Sequence, residues 1–202
     1  MSPTIRPATK DDLPAASALF GAAFETTPQW RWMIEDDETR SDVLPAFFKA
    51  SLRHTLRRGR LVLAERVSTG SLAGVAAWLP PDRWQVPAWL GIAAIPGVLP
   101  HVRSGALAEF GKRGRAIDSA AKAAHPAEPH WYLAGVAVSS SAQGEGIGSQ
   151  LIRDGLDRLD GPAYLECEEA LVSYYERLGF RVTRRIDPGD SVPVQIGMWR
   201  PA

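Results

Sequence analysis

Apolar residues recur every three or four positions through the first sixty residues, which predicts helices there rather than strands. The first helix follows a short extended piece at 5–8, and Thr9 with Asp12 forms the capping-box pattern that marks its start. A second, longer helix is predicted over Thr39 to Arg58, and a loop or broken helix separates the two. The chain therefore begins with one strand and two helices.

Two apolar runs, 61–67 and 72–79, follow on either side of a Ser-Thr-Gly-Ser turn, which predicts a β-hairpin. A stretch rich in Pro, Gly and Ala then runs from about 81 to 129. Its apolar residues are regularly spaced, which favours a packed helical insertion over a linker, with helical periods over 89–99 and 104–124.

Beyond residue 130 strand and helix patterns alternate. The predicted strands are 130–139, 163–167, 180–185 and 192–199, and the predicted helices are 146–159 and 170–178. Gly179 follows the last helix as a left-handed cap. The order β-α-α-β-β-insertion-β-α-β-α-β-β predicts a mixed α/β sheet that contains a parallel β-α-β unit after the insertion.

The amino-acid composition excludes several classes of protein. The 202 residues carry 23 basic and 23 acidic side chains, so we expect one domain over 1–202 and no mainly electrostatic binding to nucleic acid or membranes. Cys167 is the only cysteine, which excludes a disulfide and a cysteine-rich metal site, and we expect no metal. The N-terminus lacks an apolar signal region, so we expect a cytoplasmic protein, and the arginine-rich, asparagine-free composition suggests a GC-rich bacterium as its source.

The most informative segment is an apolar strand end followed by a glycine-rich turn that opens into a helix. It consists of Val136, Ala137, Val138, Gln143, Gly144, Glu145, Gly146, Ile147, Gly148 and Ser149. Glycines let the backbone approach a ligand, and a helix N-terminus offers free N–H groups, so we expect a pyrophosphate site. The segment lacks the Lys-Ser/Thr of a P-loop, and its glycine spacing differs from a dinucleotide fingerprint.

Two motifs resemble those of the GNAT superfamily of N-acetyltransferases. Gln143-x-x-Gly146-x-Gly148 is similar to its Q/R-x-x-G-x-G/A signature, and Tyr175-x-x-x-Gly179-Phe180 is similar to its second signature. The resemblance implies a mixed, mostly antiparallel sheet with a splayed parallel pair at the acyl-CoA site, plus the helical insertion. It also implies acetyl-CoA as the acetyl donor.

The resemblance assigns roles to these residues. Backbone groups of Val136 and Val138 would pair with the pantetheine arm, and the Val138 N–H would polarise the thioester carbonyl. The N–H groups of 144–149 would hold the pyrophosphate. Tyr175 would protonate the departing thiolate, with Tyr174 as the alternative acid. The implied reaction is direct transfer of acetyl to a small-molecule amine in a ternary complex.

Glu166 is the candidate base. A strongly basic amine is mostly protonated at pH 7, and deprotonating it costs roughly 4–5 kcal/mol. A carboxylate on a central strand is costly unless it is used or paired, so Glu166 either handles the substrate proton or forms a structural ion pair. His130 is expected at a strand edge, Tyr132 in the core, and Cys167 is expected to be inert.

The remaining candidates have two interpretations each. Glu168 stands where many relatives carry Asn, and it caps the following helix in our interpretation. Four tryptophans either line an acceptor pocket or pack in the core: Trp30, Trp32, Trp84 and Trp89. Two other functions stay open at this point, namely a non-catalytic acyl-CoA-binding module and an NAD-binding oxidoreductase. The chain is expected to act as a monomer or a homodimer.

Overall fold

The computed structural model of the protein describes residues 3–85, 98, 106–189 and 191–202. Its strands are β1 (Thr4–Pro7), β2 (Arg60–Glu65), β3 (Leu72–Leu79), β4 (Trp131–Val138), β5 (Ala163–Cys167), β6 (Arg181–Ile186) and β7 (Gln195–Arg200). Its helices are α1 (Leu13–Phe24), α2 (Pro28–Met33), α3 (Asp37–Arg58), α4 (Ala106–Ala124), α5 (Ile147–Leu156) and α6 (Val172–Glu176). Short 3-10 turns cover Lys10–Asp12, Ser140–Ala142 and Glu169–Leu171.

Most predicted elements are confirmed, with small shifts at their ends. The Trp30/Trp32 segment is the short helix α2, and the predicted helix 104–124 is α4. The predicted helix 89–99 lies outside the described residues apart from Val98. The predicted helix 170–178 is divided into a 3-10 turn and α6, and the strand predicted from residue 192 begins only at Gln195.

The expected start of the first helix is confirmed in its hydrogen bonds. The Asp12 carboxylate accepts from the Thr9 amide at 2.7 Å and from the Thr9 hydroxyl at 2.9 Å. Arg6 on β1 donates to the same carboxylate and to Glu65 on β2, so one guanidinium ties the first strand to its neighbour and to the helix start. This contact with Arg6 holds the pKa of Asp12 well below its usual range.

The seven strands form one sheet in the order β1-β2-β3-β4-β5-β7-β6. All neighbouring pairs are antiparallel apart from β4 and β5, which are parallel. The expectation of a mixed, mostly antiparallel sheet with one parallel pair is confirmed. The parallel pair follows from connectivity, because α5 lies between β4 and β5 and carries the chain back to the same end of the sheet.

The sheet is covered on both faces by different helices. On one face α5 packs against Trp78 and Leu165, in a cluster whose centre is fully buried. On the other face α1 and α3 pack against Val75 and Ala77, with Phe20 at the contact. Because strand side chains alternate between faces, the parity of a strand residue assigns it to one of these two environments, and in β4 a β-bulge shifts this alternation by one residue.

Arg40 is the buried charge that fixes the connection between the first three helices. Its side chain is 2% exposed and donates to the carbonyl oxygens of Glu25 and Ile34, each at 2.7 Å, and of Glu35 at 3.3 Å. It also pairs with Asp37. The guanidinium therefore satisfies backbone acceptors at the end of α1 and before α3 that no helix bond reaches.

We expect Arg40→Met to lower the free energy of unfolding by about 3–5 kcal/mol, because it leaves several backbone carbonyls without a donor. Urea unfolding measures the change. Arg57→Met is the matched control, since Arg57 is exposed on the same helix, and it should cost no more than about 1 kcal/mol. Equal losses in the two variants would contradict the assignment.

Candidate functional site

The parallel strands β4 and β5 separate soon after they meet. They pair only at Trp131 with Ala163 and at Tyr132 with Tyr164. Two residues further along β4, a β-bulge leaves Ala134 without a partner on β3, since Leu133 pairs with Trp78 and Gly135 with Ala77. Bulges bend a strand and increase its twist, so this one turns the rest of β4 away from β5.

The bulge also determines which backbone groups of β4 face the opening. The Ser139 N–H donates to the Ala73 carbonyl at 2.9 Å, so amides at alternate positions back to Gly135 face β3. The amides of Val136 and Val138 therefore face the side that β5 has left. The structure places both residues expected to pair with the donor along this open edge, with Ala137 buried between them.

The glycine-rich turn after β4 presents a helix N-terminus at the end of that edge. Gly144 and Gly146 have φ of 81° and 77°, a left-handed backbone that favours glycine. The first hydrogen bond of α5 runs from Gln150 N–H to the Gly146 carbonyl at 3.0 Å. The amides of 147–149 come before it and have no acceptor within the helix, which makes this end suited to an anion.

The turn is held in place by an arginine that follows β2, in addition to a 3.0 Å hydrogen bond between its own Ser139 and Ser141 hydroxyls. Arg66, just after β2, donates to the Ser141 carbonyl at 2.6 Å and to the Glu145 carboxylate at 2.7 Å. The ion pair holds the one carboxylate of the turn against a cation. Gln143 is exposed, whereas Ile147 is buried and anchors the helix start in the core.

The two tyrosines of α6 have different surroundings. The Tyr174 hydroxyl accepts from Ser149 at 3.3 Å, and a Cβ added at Gly148 would lie 2.9 Å from the same oxygen, so a side chain there would displace the phenol. Tyr175 is 7% exposed and packs against Phe180. Burial raises the pKa of Tyr175 well above its usual value of about 10. Tyr174 therefore contacts the start of α5, and Tyr175 lies in the core beside it.

Glu166 lies two residues beyond the last β4–β5 pair, at the mouth of the opening. Its side chain is 13% exposed, and its Oε1 accepts from the Tyr164 hydroxyl at 3.3 Å. The same oxygen is 3.9 Å from Nδ1 of His125, which follows α4. Burial, together with the Glu166 charge, raises the pKa of Tyr132 well above its usual value. The expected base is thus surrounded by aromatic rings and an imidazole.

Sequence reasoning missed His125 and misplaced His130. His130 was expected at a strand edge, but its side chain is 1% exposed, with Nδ1 2.6 Å from the Glu128 carbonyl and Nε2 2.8 Å from Nε2 of His125. The error has a physical cause, because the end of α4 covers this part of the sheet. No local pattern near His125 indicates a contact 41 residues away, with Glu166.

The other candidates fall into the core or into helix contacts. Cys167 is buried, and burial raises the pKa of its thiol to about 12, consistent with an inert residue. Glu168 occupies the position before the 3-10 turn, but its side chain makes no capping hydrogen bond, so that expectation is wrong. Trp30 packs against Phe47, whereas Trp84 stacks on His125 with ring centroids 3.3 Å apart.

Trp32 and Trp89 complete the tryptophan set. The guanidinium of Arg113 lies 5.3 Å from the Trp32 ring centroid, a cation–π contact between α4 and α2. Trp89 lies outside the described residues. Of the three described tryptophans in this set, Trp84 is the one that contacts His125, the imidazole near Glu166. No helix among the described residues is both long and apolar enough to cross a membrane.

Comparisons with known proteins agree with this geometry. The model of the acetyltransferase (GNAT) family matches residues 22–180. A Corynebacterium glutamicum structure described as histone acetyltransferase HPA2 and related acetyltransferase is 29% identical, with a TM-score of 0.72 and coverage of 100% of this chain and 98% of that one. A ribosomal-protein-alanine N-acetyltransferase from Brucella melitensis is 21% identical, with a TM-score of 0.56 and coverage of 98% and 99%.

A further solved structure shares the fold. It is a mosquito arylalkylamine N-acetyltransferase like 5b, 16% identical, with a TM-score of 0.55 and full coverage of both chains. The family model spans well over half of the sequence and includes the opened edge of β4, the glycine turn and α6. The chain belongs to the GNAT family of acetyltransferases.

Proposed function

We propose that the protein transfers the acetyl group of acetyl-CoA to the amine of a small molecule, directly, in a ternary complex. The observation that carries the proposal is the opening between β4 and β5, which leads from the N-terminus of α5 to Glu166. One end of this path suits a pyrophosphate and the other suits a cation. A path with these two ends is what an enzyme joining an acyl-CoA to an amine requires.

The residues at the donor end fit acetyl-CoA. Gly144 and Gly146 leave open space where other residues would carry a Cβ, apart from a distant contact of Gly146 with Gln150 at 3.9 Å. The free amides at the start of α5 would hold the pyrophosphate, and the open amides of Val136 and Val138 would hold the amide-bearing arm. When bound, acetyl-CoA supplies an activated acetyl group as a thioester. The Val138 N–H would then donate to the carbonyl oxygen where negative charge develops.

At the other end, the proposed chemistry needs an uncharged amine nitrogen. Glu166 is the carboxylate at the mouth of the opening, where it would bind the ammonium and draw off its proton. Tyr175 is the proposed acid for the departing thiolate. Its raised pKa keeps the phenol protonated, which an acid requires.

Two observations support a proposal for the chemical class of the acceptor: a sequence resemblance and the aromatic residues near Glu166. Several stretches of the sequence resemble puromycin N-acetyltransferase, among them Leu165–Glu166 and the run Pro129-x-Trp131-x-Leu133-Ala134. Trp84, Tyr132 and Tyr164 surround the Glu166 region with aromatic rings. We therefore propose an acceptor with an amine attached to an aromatic or apolar body, and puromycin belongs in the first set to be screened.

Calorimetric titration with acetyl-CoA, and separately with NADH, tests the donor. An amine screen with detection of free thiol then tests transfer. Micromolar binding of acetyl-CoA with amine-dependent thiol release is the expected result. Acetyl-CoA binding without thiol release from any amine would favour a binding module, and binding of NADH alone would overturn the proposal.

We expect Gly146→Glu to lower the affinity for acetyl-CoA at least about 100-fold, because its carboxylate would enter the anion site and its φ of 77° disfavours any side chain. Calorimetry measures the affinity, and circular dichroism checks folding. Gly161→Glu is the matched control, since Gly161 lies in a half-buried bend where an added Cβ would meet open space. An unchanged affinity in folded Gly146→Glu would contradict the assignment of the pyrophosphate site.

We expect Tyr175→Phe to lower kcat at least about tenfold while changing the Kd of acetyl-CoA little, because the phenol acts on the leaving group rather than on binding. Tyr174→Phe should instead affect Kd, since Tyr174 contacts Ser149. Because the Tyr175 phenol stays protonated, wild-type kcat should not fall between pH 7 and pH 10. An unaltered kcat in Tyr175→Phe would remove it as the acid.

A further inference from the structure

A buried imidazole, His125, lies near Glu166, and a second one, His130, contacts the first; the proposed chemistry uses neither. His125 follows α4, and His130 precedes β4. Their Nε2 atoms are 2.8 Å apart, and both side chains are almost fully buried, at 2% and 1% exposure. A contact this short between two nitrogens requires one of them to donate.

The direction of that hydrogen bond follows from the carbonyl beyond it. Nδ1 of His130 lies 2.6 Å from the Glu128 carbonyl oxygen, which can only accept, so Nδ1 carries the proton. Burial, with the neighbouring His125 as a further cause, lowers the pKa of His130, so the ring stays neutral. Its Nε2 then accepts, and Nε2 of His125 donates. The backbone of Glu128 thus sets the tautomer of both rings.

This tautomer turns a lone pair of His125 toward the carboxylate. Nδ1 of neutral His125 is an acceptor, and it lies 3.9 Å from Oε1 of Glu166. Oε1 already accepts from the Tyr164 hydroxyl at 3.3 Å. Two acceptors that face each other share a proton favourably, and protonation of His125 would make a charge-assisted hydrogen bond that closes the gap.

Aromatic rings enclose His125, and the face of one of them, Trp84, lies against the imidazole. The Trp84 ring stacks on one face, with an interplanar angle of 13°, and Tyr132 and Tyr164 lie edge-on at 5.3 Å and 4.8 Å between centroids. Aromatic faces stabilise a cation, most strongly where water is excluded. From β6, Arg184 donates to the Ala123 carbonyl at 3.3 Å, which fixes the end of α4 over the sheet.

We propose that Glu166 and His125 together form the site that binds the acceptor ammonium and removes its proton. This inference deepens the proposed function and rests on it for the acetyl transfer. An ammonium N–H bond breaks, the proton bonds to a Glu166 carboxylate oxygen, and it passes from Oε1 to Nδ1 of His125. The nitrogen keeps its lone pair, Glu166 is again a carboxylate, and His125 becomes an imidazolium paired with it.

The site selects a defined chemical class. Its ligand is a primary ammonium on an aromatic or apolar body, which meets the carboxylate with its charge and the rings with its body. His130 touches neither substrate nor donor in this arrangement. It is a positioning residue that keeps the accepting nitrogen of His125 toward Glu166.

Histidine NMR tests the arrangement without turnover. In wild-type protein labelled with ¹⁵N-histidine, we expect the His125 proton on Nε2 and the His130 proton on Nδ1, with assignment from His125→Gln and His130→Gln. Addition of 2-phenylethylamine should shift His125 Nδ1 in wild type and not in Glu166→Gln. A His125 proton on Nδ1, or no response to 2-phenylethylamine in wild type, overturns the proposal.

Kinetics test the proton transfer. His125→Gln keeps an amide donor for His130 but cannot hold the proton. At pH 7 it and Glu166→Gln should each lower kcat/KM for 2-phenylethylamine about 100-fold, and for p-toluidine, whose amino group is already neutral, less than about threefold. Glu169→Gln is the matched control, because Glu169 is an exposed carboxylate on the next turn. Equal losses with both amines overturn the base role.

Different results would overturn the acetyl transfer and the amine site formed by Glu166 and His125. A wild-type protein that shows the expected tautomer and the 2-phenylethylamine shift, yet cleaves no thioester, keeps the amine site and overturns the acetyl transfer. Thioester cleavage with 2-phenylethylamine that is equally fast in wild type, His125→Gln and Glu166→Gln keeps the transfer and overturns the site. Acetyl-CoA affinity close to that of wild type in both variants excludes misfolding as the cause of a loss.

Discussion

The opening of the sheet between β4 and β5 is the constraint on which the rest of the structure depends. A parallel pair normally continues its ladder, because every unpaired backbone N–H and C=O must find another partner. Here pairing stops after Tyr132 and Tyr164, and the bulge at Ala134 rotates the remaining edge of β4 away. The open edge is therefore a row of amides and carbonyls that a ligand with its own amides can satisfy.

Alternate side chains of β5 face opposite sides of the sheet, which separates the proposed acetyl-CoA site from the proposed amine site. Leu165 and Cys167 point into the cluster under α5, whereas Tyr164 and Glu166 point to the opposite face. The proposed donor site and Tyr175 thus lie on the α5 side of the sheet, and Glu166 with its imidazole neighbour lies on the other side. One opening joins them, so the strand geometry that exposes the β4 amides also places Glu166 at its mouth.

The sequence predicts those elements of the fold that depend on residues close together in the chain. The hairpin strand 72–79, the strand 163–167, the capping box at Thr9 and the left-handed Gly179 depend on local periodicity and turn chemistry, and all four agree with the structure. The imidazole pair depends on how α4 docks against β6 and on where its last turn ends. Such a contact between distant segments leaves no local pattern, and His130 was misplaced for that reason.

The cluster around Glu166 explains why a second proton acceptor is useful. An isolated carboxylate on an apolar sheet face is costly, and the Tyr164 hydroxyl alone offsets little of that cost. A bound ammonium would offset more, but a site that only binds the ammonium tightly stabilises the ground state and opposes its deprotonation. In the proposed mechanism His125 resolves this conflict, because moving the proton to its buried Nδ1 retains a cation beside Glu166 while the amine becomes neutral. The positive charge then lies on His125 beside the Glu166 carboxylate, and the neutral amine can attack the thioester.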